Sequence, residues 1–261
     1  FAGDELPSTT AGSILSIADK LDTIAGLFAI GIKPTGSQDP FALRRSALGI
    51  INIIIDKRLN LYLNDLIEFA LYIYVDEMGL AFNYDRVKKE IRDFFMGRIK
   101  NMFADKKVRY DIIEAVLNTD TDNIYDMKIR VDKISQWLEK EDLTEILTAF
   151  NRVASLAKEA ESNEVTRNLL TEDETELYNA FNKIEDRVIE LIDEKEYDKA
   201  LDLLATLREP IDKFFDNVMV MVDDEEIRAN RLGLLKKIYD IMIQVCDLSK
   251  IVNNTSKDKT N

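Results

Sequence analysis

Apolar residues in this chain return every three or four positions. Ile14, Ile17, Leu21, Ile24 and Phe28 form one stripe at that spacing, and Val87, Ile91, the Phe94/Phe95 pair and Ile99 form another. No segment shows a convincing run of period two, so the chain reads as all-α. Proline and glycine, the residues that interrupt helices, number four and nine among 261. That length suits one large or two ordinary domains with a sizeable core.

The punctuation between the stripes sets the expected helices. Gly31 and Pro34 stop the first one. Asp39 followed by Pro40 reads as an N-cap with proline at the first helical position, opening a helix to about Arg58. Further helices are expected over Leu63–Tyr74, Tyr84–Phe103, Tyr110–Leu117, Met127–Leu138 and Leu143–Ala160. Glu176–Glu194, Asp198–Leu207, Ile211–Val222 and Glu225–Leu248 complete the set, with Pro210 as a break. Asn118–Asn123 is a polar interruption, "ESNEVTRNLLTEDE" is the expected mobile loop, and the tail from Asn253 is expected to fray. The segment Glu196–Leu207 resembles one tetratricopeptide helix, but nothing recurs at that period.

Residue types exclude several chemistries. The chain has no histidine, which removes Ser-His-Asp and Cys-His catalysis and every histidine-containing zinc site. Neither GxxxxGK[ST] nor GxGxxG occurs. The lone Cys246 lies in period with Ile241 and Val245 and reads as a small core residue. One cysteine permits no internal disulfide, and no signal peptide or membrane-length apolar run is evident, so a cytoplasmic location is expected. The first residue is Phe1, and the chain is expected to be the C-terminal piece of something longer.

Net charge is −14, an unpromising balance for phosphate contact. The charge is segregated, however. Residues Arg86 to Arg109 carry nine Lys/Arg against three acids, and Glu159 to Lys199 carry fourteen acids against five bases. Such a chain can present a basic face locally, or the two tracts can be solvated helix surfaces. Asp19 and Asp22 offer a similar choice. Asp19 lies opposite the first apolar stripe, either on a solvated face or against a part of the protein that precedes Phe1.

Four motifs in order give a specific resemblance. "GDELPSTTAGSILSIADKLDTIAGLFAIGIKPTGSQDPFALRRSALGIINII", "RYDIIEAVL", "AFNRVASLAK" and "LREPIDKFFDNVMVMVDDEEIRANRLGLL" resemble the beta subunit of the bacterial two-subunit glycyl-tRNA synthetase. "ADKLDT" is similar to the last ligand-bearing helix of HD-type phosphohydrolase domains, with Asp19 at the final metal-ligand position. The histidines such a domain needs are missing, so Asp19 is at best an orphan ligand position, and neither metal nor hydrolase activity is expected. The resemblance implies the end of an HD-like domain over residues 1–82, a helical linker region over 83–141, a DALR-type anticodon-binding bundle over 142–252 and a disordered tail over 253–261. The two helical bodies are expected to join around Glu139–Leu143. In the "DPFALRR" turn, Arg44 and Arg45 read as surface residues of a capped helix, or as contacts to RNA phosphate or a neighbouring domain.

The family divides its labour, which implies a function for this piece. ATP and Mg would serve the alpha subunit, which charges glycine tRNA, and this fragment would bind no cofactor and catalyse nothing alone. The implied partners are glycine tRNA and the alpha subunit, without a membrane. The C-terminal bundle is similar to the anticodon-binding domain of arginyl-tRNA synthetases, with "ANRLGLL" the best local match. Candidate tRNA contacts are Arg152, Lys158, Arg208, Arg228 and Arg231. Arg152 and Arg231 could equally be internal ion-pair residues. Two other readings stand beside this one: a metal-dependent HD phosphohydrolase fragment, disfavoured by the missing histidines, and a helical scaffold with no nucleic-acid role.

Overall fold

The computed structural model describes residues 6–140 and 143–252. Among them are eleven α-helices, three short helical turns, two isolated bridges and no strand. No helix among the described residues is long and apolar enough to cross a membrane. The chain divides into two compact units. One comprises residues up to Val108 with Thr121–Lys128, and the other comprises Arg109–Asp120 with the residues from Ile129 on.

In the first unit, α1 (Thr10–Ala29) starts where the Thr9 hydroxyl accepts the Gly12 N–H at 3.1 Å. Ile17, Leu21, Ile24 and Phe28 are buried as their spacing requires, but Ile14 is 60% exposed and stands outside the core. Next come α2 (Leu43–Asp56), α3 (Leu63–Tyr72), a π-helical turn (Ile73–Glu77) and α4 (Tyr84–Asp105). The start of α2 differs from expectation. Its N-cap is Ala42 in the left-handed region at φ 53°, so Pro40 lies before the helix. Asp39 nevertheless caps it from a distance, accepting the N–H of Leu43 at 2.8 Å and of Arg44 at 3.0 Å. Arg44 also donates to the Gly36 carbonyl at 2.8 Å, holding the preceding turn.

The expected linker region 83–141 is not one body. Helix α4 buries Val87, Ile91, Phe95 and Ile99 in the first unit, with the Phe94 ring 5.3 Å from that of Phe28. The polar interruption is a clamp rather than a gap. Asp122 accepts the N–H groups of Leu63 and Asn64 at 3.0 Å each, and Asn123 donates to Asn60 at 2.6 Å. Helix α5 (Tyr110–Leu117) falls in the second unit instead, and α6 (Ile124–Trp137) begins in the first unit and ends in the second. The junction expected around Glu139–Leu143 includes residues 141 and 142, and the tail from Asn253 begins a stretch that runs to 261. Both lie outside the described residues.

The second unit adds α7 (Thr144–Ala157), α8 (Glu172–Asp193), α9 (Tyr197–Ala205), α10 (Arg208–Asn217) and α11 (Glu225–Val245). Trp137, Phe150, Phe181, Phe214 and Ile238 fill its core, and Cys246 is fully buried there. Pro210 occupies the first turn of α10, where its missing N–H costs no helical bond. Arg130 is buried at the end of α11. It donates to the Val245 carbonyl at 2.7 Å and to that of Gln244, and lies 4.3 Å over the Tyr197 ring. A cation at a helix C-terminus satisfies free carbonyls and opposes the helix dipole.

Candidate nucleic-acid interface

All five candidate cations lie in the second unit. Lys158 is the C-cap residue of α7. It is exposed and forms no ion pair among the described residues. Arg152 lies earlier on the same helix. Its guanidinium stacks 4.2 Å over the Phe215 ring and stands 3.7 Å from Asp212. Arg208, the first residue of α10, meets Asp212 from its other oxygen at 3.5 Å and Glu145 at 2.8 Å. The fold therefore brings Arg152 and Arg208 together on one carboxylate, which joins α7 to α10 and leaves both guanidinium groups partly exposed.

Arg228 and Arg231 converge elsewhere, on residues 218–222 between α10 and α11. Arg228 donates to the Val222 carbonyl at 2.9 Å, and Arg231 donates to the Met219 carbonyl at 2.9 Å. The segment was expected to be helical through Val222, but α10 ends at Asn217. Val218 and Val220 turn inward, while Met219 and Met221 are 73% and 54% exposed. The alternation in "VMVMV" was the available signal for this non-helical stretch.

Arg231 has a second commitment. Its Nε bonds Glu174, with side-chain exposures of 13% for the arginine and 1% for the glutamate. Glu174 also closes a capping box with Thr171 at the start of α8. Burial raises the Glu174 pKa, but the Thr171 N–H and the Arg231 guanidinium outweigh it and hold the carboxyl below its ordinary value. Arg231 is thus an internal ion-pair residue. It can act on a ligand only through the segment it holds. The Thr-x-x-Glu spacing at 171–174 carried the signal, hidden within a run of acids.

The connection before α8 is tethered. The Thr166 N–H donates to Asn230 at 2.6 Å, and Asn230 returns a bond to the Thr166 carbonyl at 3.3 Å. Gly233 lets the chain at Glu164 lie directly on α11, because a Cβ there would run into the Glu164 carbonyl oxygen. Between this connection and α11 opens a cleft of 630 Å³ whose lining includes Glu159, Glu161, Glu164, Glu225 and Glu226. Its negative wall repels phosphate and confines any phosphate contact to other faces of the unit.

Asp19, the orphan ligand position, is exposed. No group of three or more His, Cys, Asp or Glu side chains is arranged to hold a metal among the described residues. Its neighbour Asp22 accepts the Tyr74 hydroxyl at 2.9 Å.

Family comparisons identify the bundle first. A model described as the DALR anticodon binding domain matches residues 146–252, from α7 through the turn after α11. A second model, described as glycyl-tRNA synthetase beta subunit, matches residues 1–118. Curated relatives align along nearly the whole chain. The glycine–tRNA ligase beta subunit of Clostridioides difficile is 53% identical over 97% of this chain and 36% of its own length. That of Desulforamulus reducens is 44% identical over 98% and 37% respectively, and that of Escherichia coli (strain SE11) 41% over 95% and 36%. The chain belongs to the glycyl-tRNA synthetase beta-subunit family. It spans little more than a third of the length of the curated relatives it matches.

Proposed function

We propose that this chain is the tRNA-recognising, C-terminal part of a glycine–tRNA ligase beta subunit, acting in the cytoplasm. In this reading residues 142–252 bind the anticodon arm, and residues 1–82 are the end of an HD-like domain without hydrolase chemistry. Adenylate formation and glycine transfer, with ATP and Mg, belong to an alpha subunit that this part supports. The observation that carries the reading is the DALR match lying on a bundle that keeps cations exposed at the end and side of α7.

Lys158 is the proposed phosphate anchor, with Arg152 and Arg208 beside the Asp212 carboxylate as secondary contacts. Arg228 and Arg231 contribute by fixing the 218–222 segment. A phosphate anchor attracts every tRNA alike, whereas a base reader distinguishes sequences.

Equilibrium binding of glycine tRNA and of an anticodon-swapped version, across a salt series, tests the proposal. Wild-type chain should prefer glycine's anticodon. Lys158→Ala should weaken both RNAs equally and flatten the salt slope by about one unit. Equal affinity of the wild type for the two RNAs would refute anticodon reading.

A further inference from the structure

The second unit carries few large apolar side chains on its surface, and two of them stand two residues apart. Met219 and Met221 project from the segment after α10, at 73% and 54% exposure, while Val218 and Val220 between and before them are buried. The chain bends at Val220 and Met221, where the Val222 N–H donates to the Val220 carbonyl at 3.1 Å, and burial alternates through the bend. Both methionine side chains are thus left in solvent within three residues of one another, on a unit that exposes few other large apolar side chains.

This spot is held in place. The Met219 carbonyl is fixed by Arg231 and the Val222 carbonyl by Arg228. Arg231 is itself fixed to the buried Glu174. Asp224, the nearest capping acid, turns its carboxylate onto the first turn of α11, accepting the Glu226 and Ile227 N–H groups at 3.1 Å each. Its charge is thus engaged by the helix. A presented apolar pair on a fixed backbone binds with little loss of conformational freedom.

We propose that Met219 and Met221 are the platform on which an unstacked anticodon base of tRNA rests. The inference depends on the anticodon-binding reading above and adds to it the group that meets the base. Single-stranded RNA is read by splaying bases onto flat or apolar side chains. A thioether is polarisable and conforms to an aromatic face. The acid-rich cleft that Arg228 helps to line disfavours phosphate on its own wall, and the exposed thioethers at 219 and 221 offer an uncharged surface suited to the face of a base. Arg228 and Arg231 are positioning residues in this arrangement.

Methionine oxidation reads the contact directly, because sulfoxide formation needs access to sulfur. The 261-residue chain is treated with hydrogen peroxide alone, with saturating glycine tRNA and with saturating anticodon-swapped tRNA, and each methionine is followed by peptide mass spectrometry. Glycine tRNA should slow oxidation of Met219 and Met221 severalfold, and the swapped RNA should not. Met78, 67% exposed in the first unit, is the internal control and should oxidise at one rate throughout. The double variant Met219→Ala/Met221→Ala should melt like wild type and bind glycine tRNA about tenfold more weakly, with an unchanged salt slope.

Equal oxidation in free and bound protein would overturn the proposal, as would equal protection by both RNAs. Protection that depends on protein concentration, or on added alpha subunit instead of RNA, would assign the spot to a protein contact and overturn it too. If wild type prefers glycine's anticodon and the double variant keeps that preference and affinity, this inference fails while the anticodon reading stands. If wild type has no preference, both fail.

Discussion

The two units hold their helices together by different means. In the first, α1 to α4 meet through Ile24, Ile50, Ile54, Ile67 and Phe95, and ion pairs such as Lys33–Glu90 and Lys88–Glu68 lie at its surface. It leaves Ile14, Leu15, Phe69 and Met78 exposed. The second unit ties helix to helix with charge: Glu174–Arg231, Glu185–Lys237, Asp173–Lys213, Asp198–Lys133, Glu145–Arg208 and Asp202–Lys140. The chain has 35 Lys and Arg against 49 Asp and Glu, so cations are outnumbered, and this unit pairs many of its own with carboxylates on neighbouring helices. An arginine in such a bundle is evidence of RNA contact only after its partner inside the fold is known.

The sharpest break in the comparison is at Glu174. Exposed pairs are worth about 0–1 kcal/mol, whereas removing one partner of a buried pair costs about 3–5 kcal/mol. Arg231→Met should therefore destabilise the second unit by about 3–5 kcal/mol in urea denaturation, and a loss under about 1 kcal/mol would erase the distinction between this pair and its neighbours. Acid provides a second probe. The folded pKa of Glu174 is depressed, so its contribution is complete above the ordinary carboxylate value of 4.5 and fades as pH falls through the lower folded value. Wild type should lose stability on acidification below that value, and Glu174→Gln should show a shallower loss from a lower starting point.

Gly233→Ala should have the next largest effect, about 1–3 kcal/mol, because the added methyl displaces backbone at Glu164. It should also release the connection before α8. Limited proteolysis should then cut residues 161–166 faster in the variant than in wild type, where Asn230 and Gly233 keep that stretch down. Equal cutting would mean that the tether is weaker than its hydrogen bonds imply.

The smallest effect belongs to the first unit. Burial first, then the bond and charge of Asp22, push the Tyr74 hydroxyl up to about 12. A raised value makes its contribution complete below pH 10, the ordinary value for tyrosine, and lost as pH climbs through about 12. Tyr74→Phe should cost about 1 kcal/mol, and ultraviolet titration should show a late-ionising tyrosine that is absent from Tyr74→Phe and that Asp22→Asn brings down. A normal titration curve in wild type would show that Asp22 is only a solvated carboxylate.

Helix periods were legible from residue order alone. The bounds of α5 follow directly from "YDIIEAVL" between two polar segments. Where the reading differed, the cause was a partner distant in sequence or an unusual backbone. Nothing in "DPFA" announces a left-handed Ala42, so the helix start was placed at Pro40. Glu174 looked like one more acid in a solvated run because its arginine lies 57 residues away. Likewise "VMVMV" was absorbed into α10, since burial of every second residue depends on what packs beneath. For the interface, residue types and motif order led to the family, but the division between Lys158, exposed and without an ion pair among the described residues, and Arg231, enclosed, exists only in three dimensions.

Helix α5 has a consequence for how the protein is made. Asp111 accepts the Val252 N–H at 2.8 Å, the Asp247 N–H donates to the Ala115 carbonyl at 2.9 Å, and Asn118 donates to Asp247 at 2.6 Å. Asn118 and Asp247 are 129 residues apart. At a synthesis rate of about 5–20 residues per second, α5 leaves the ribosome about 6–26 s before the segment that receives it. Its apolar face, Ile112, Ile113 and Val116, is buried in the finished protein and must wait uncovered through that interval. The bonds that hold α5 form only once residues 247–252 have been translated, so this part of the second unit is the last to close.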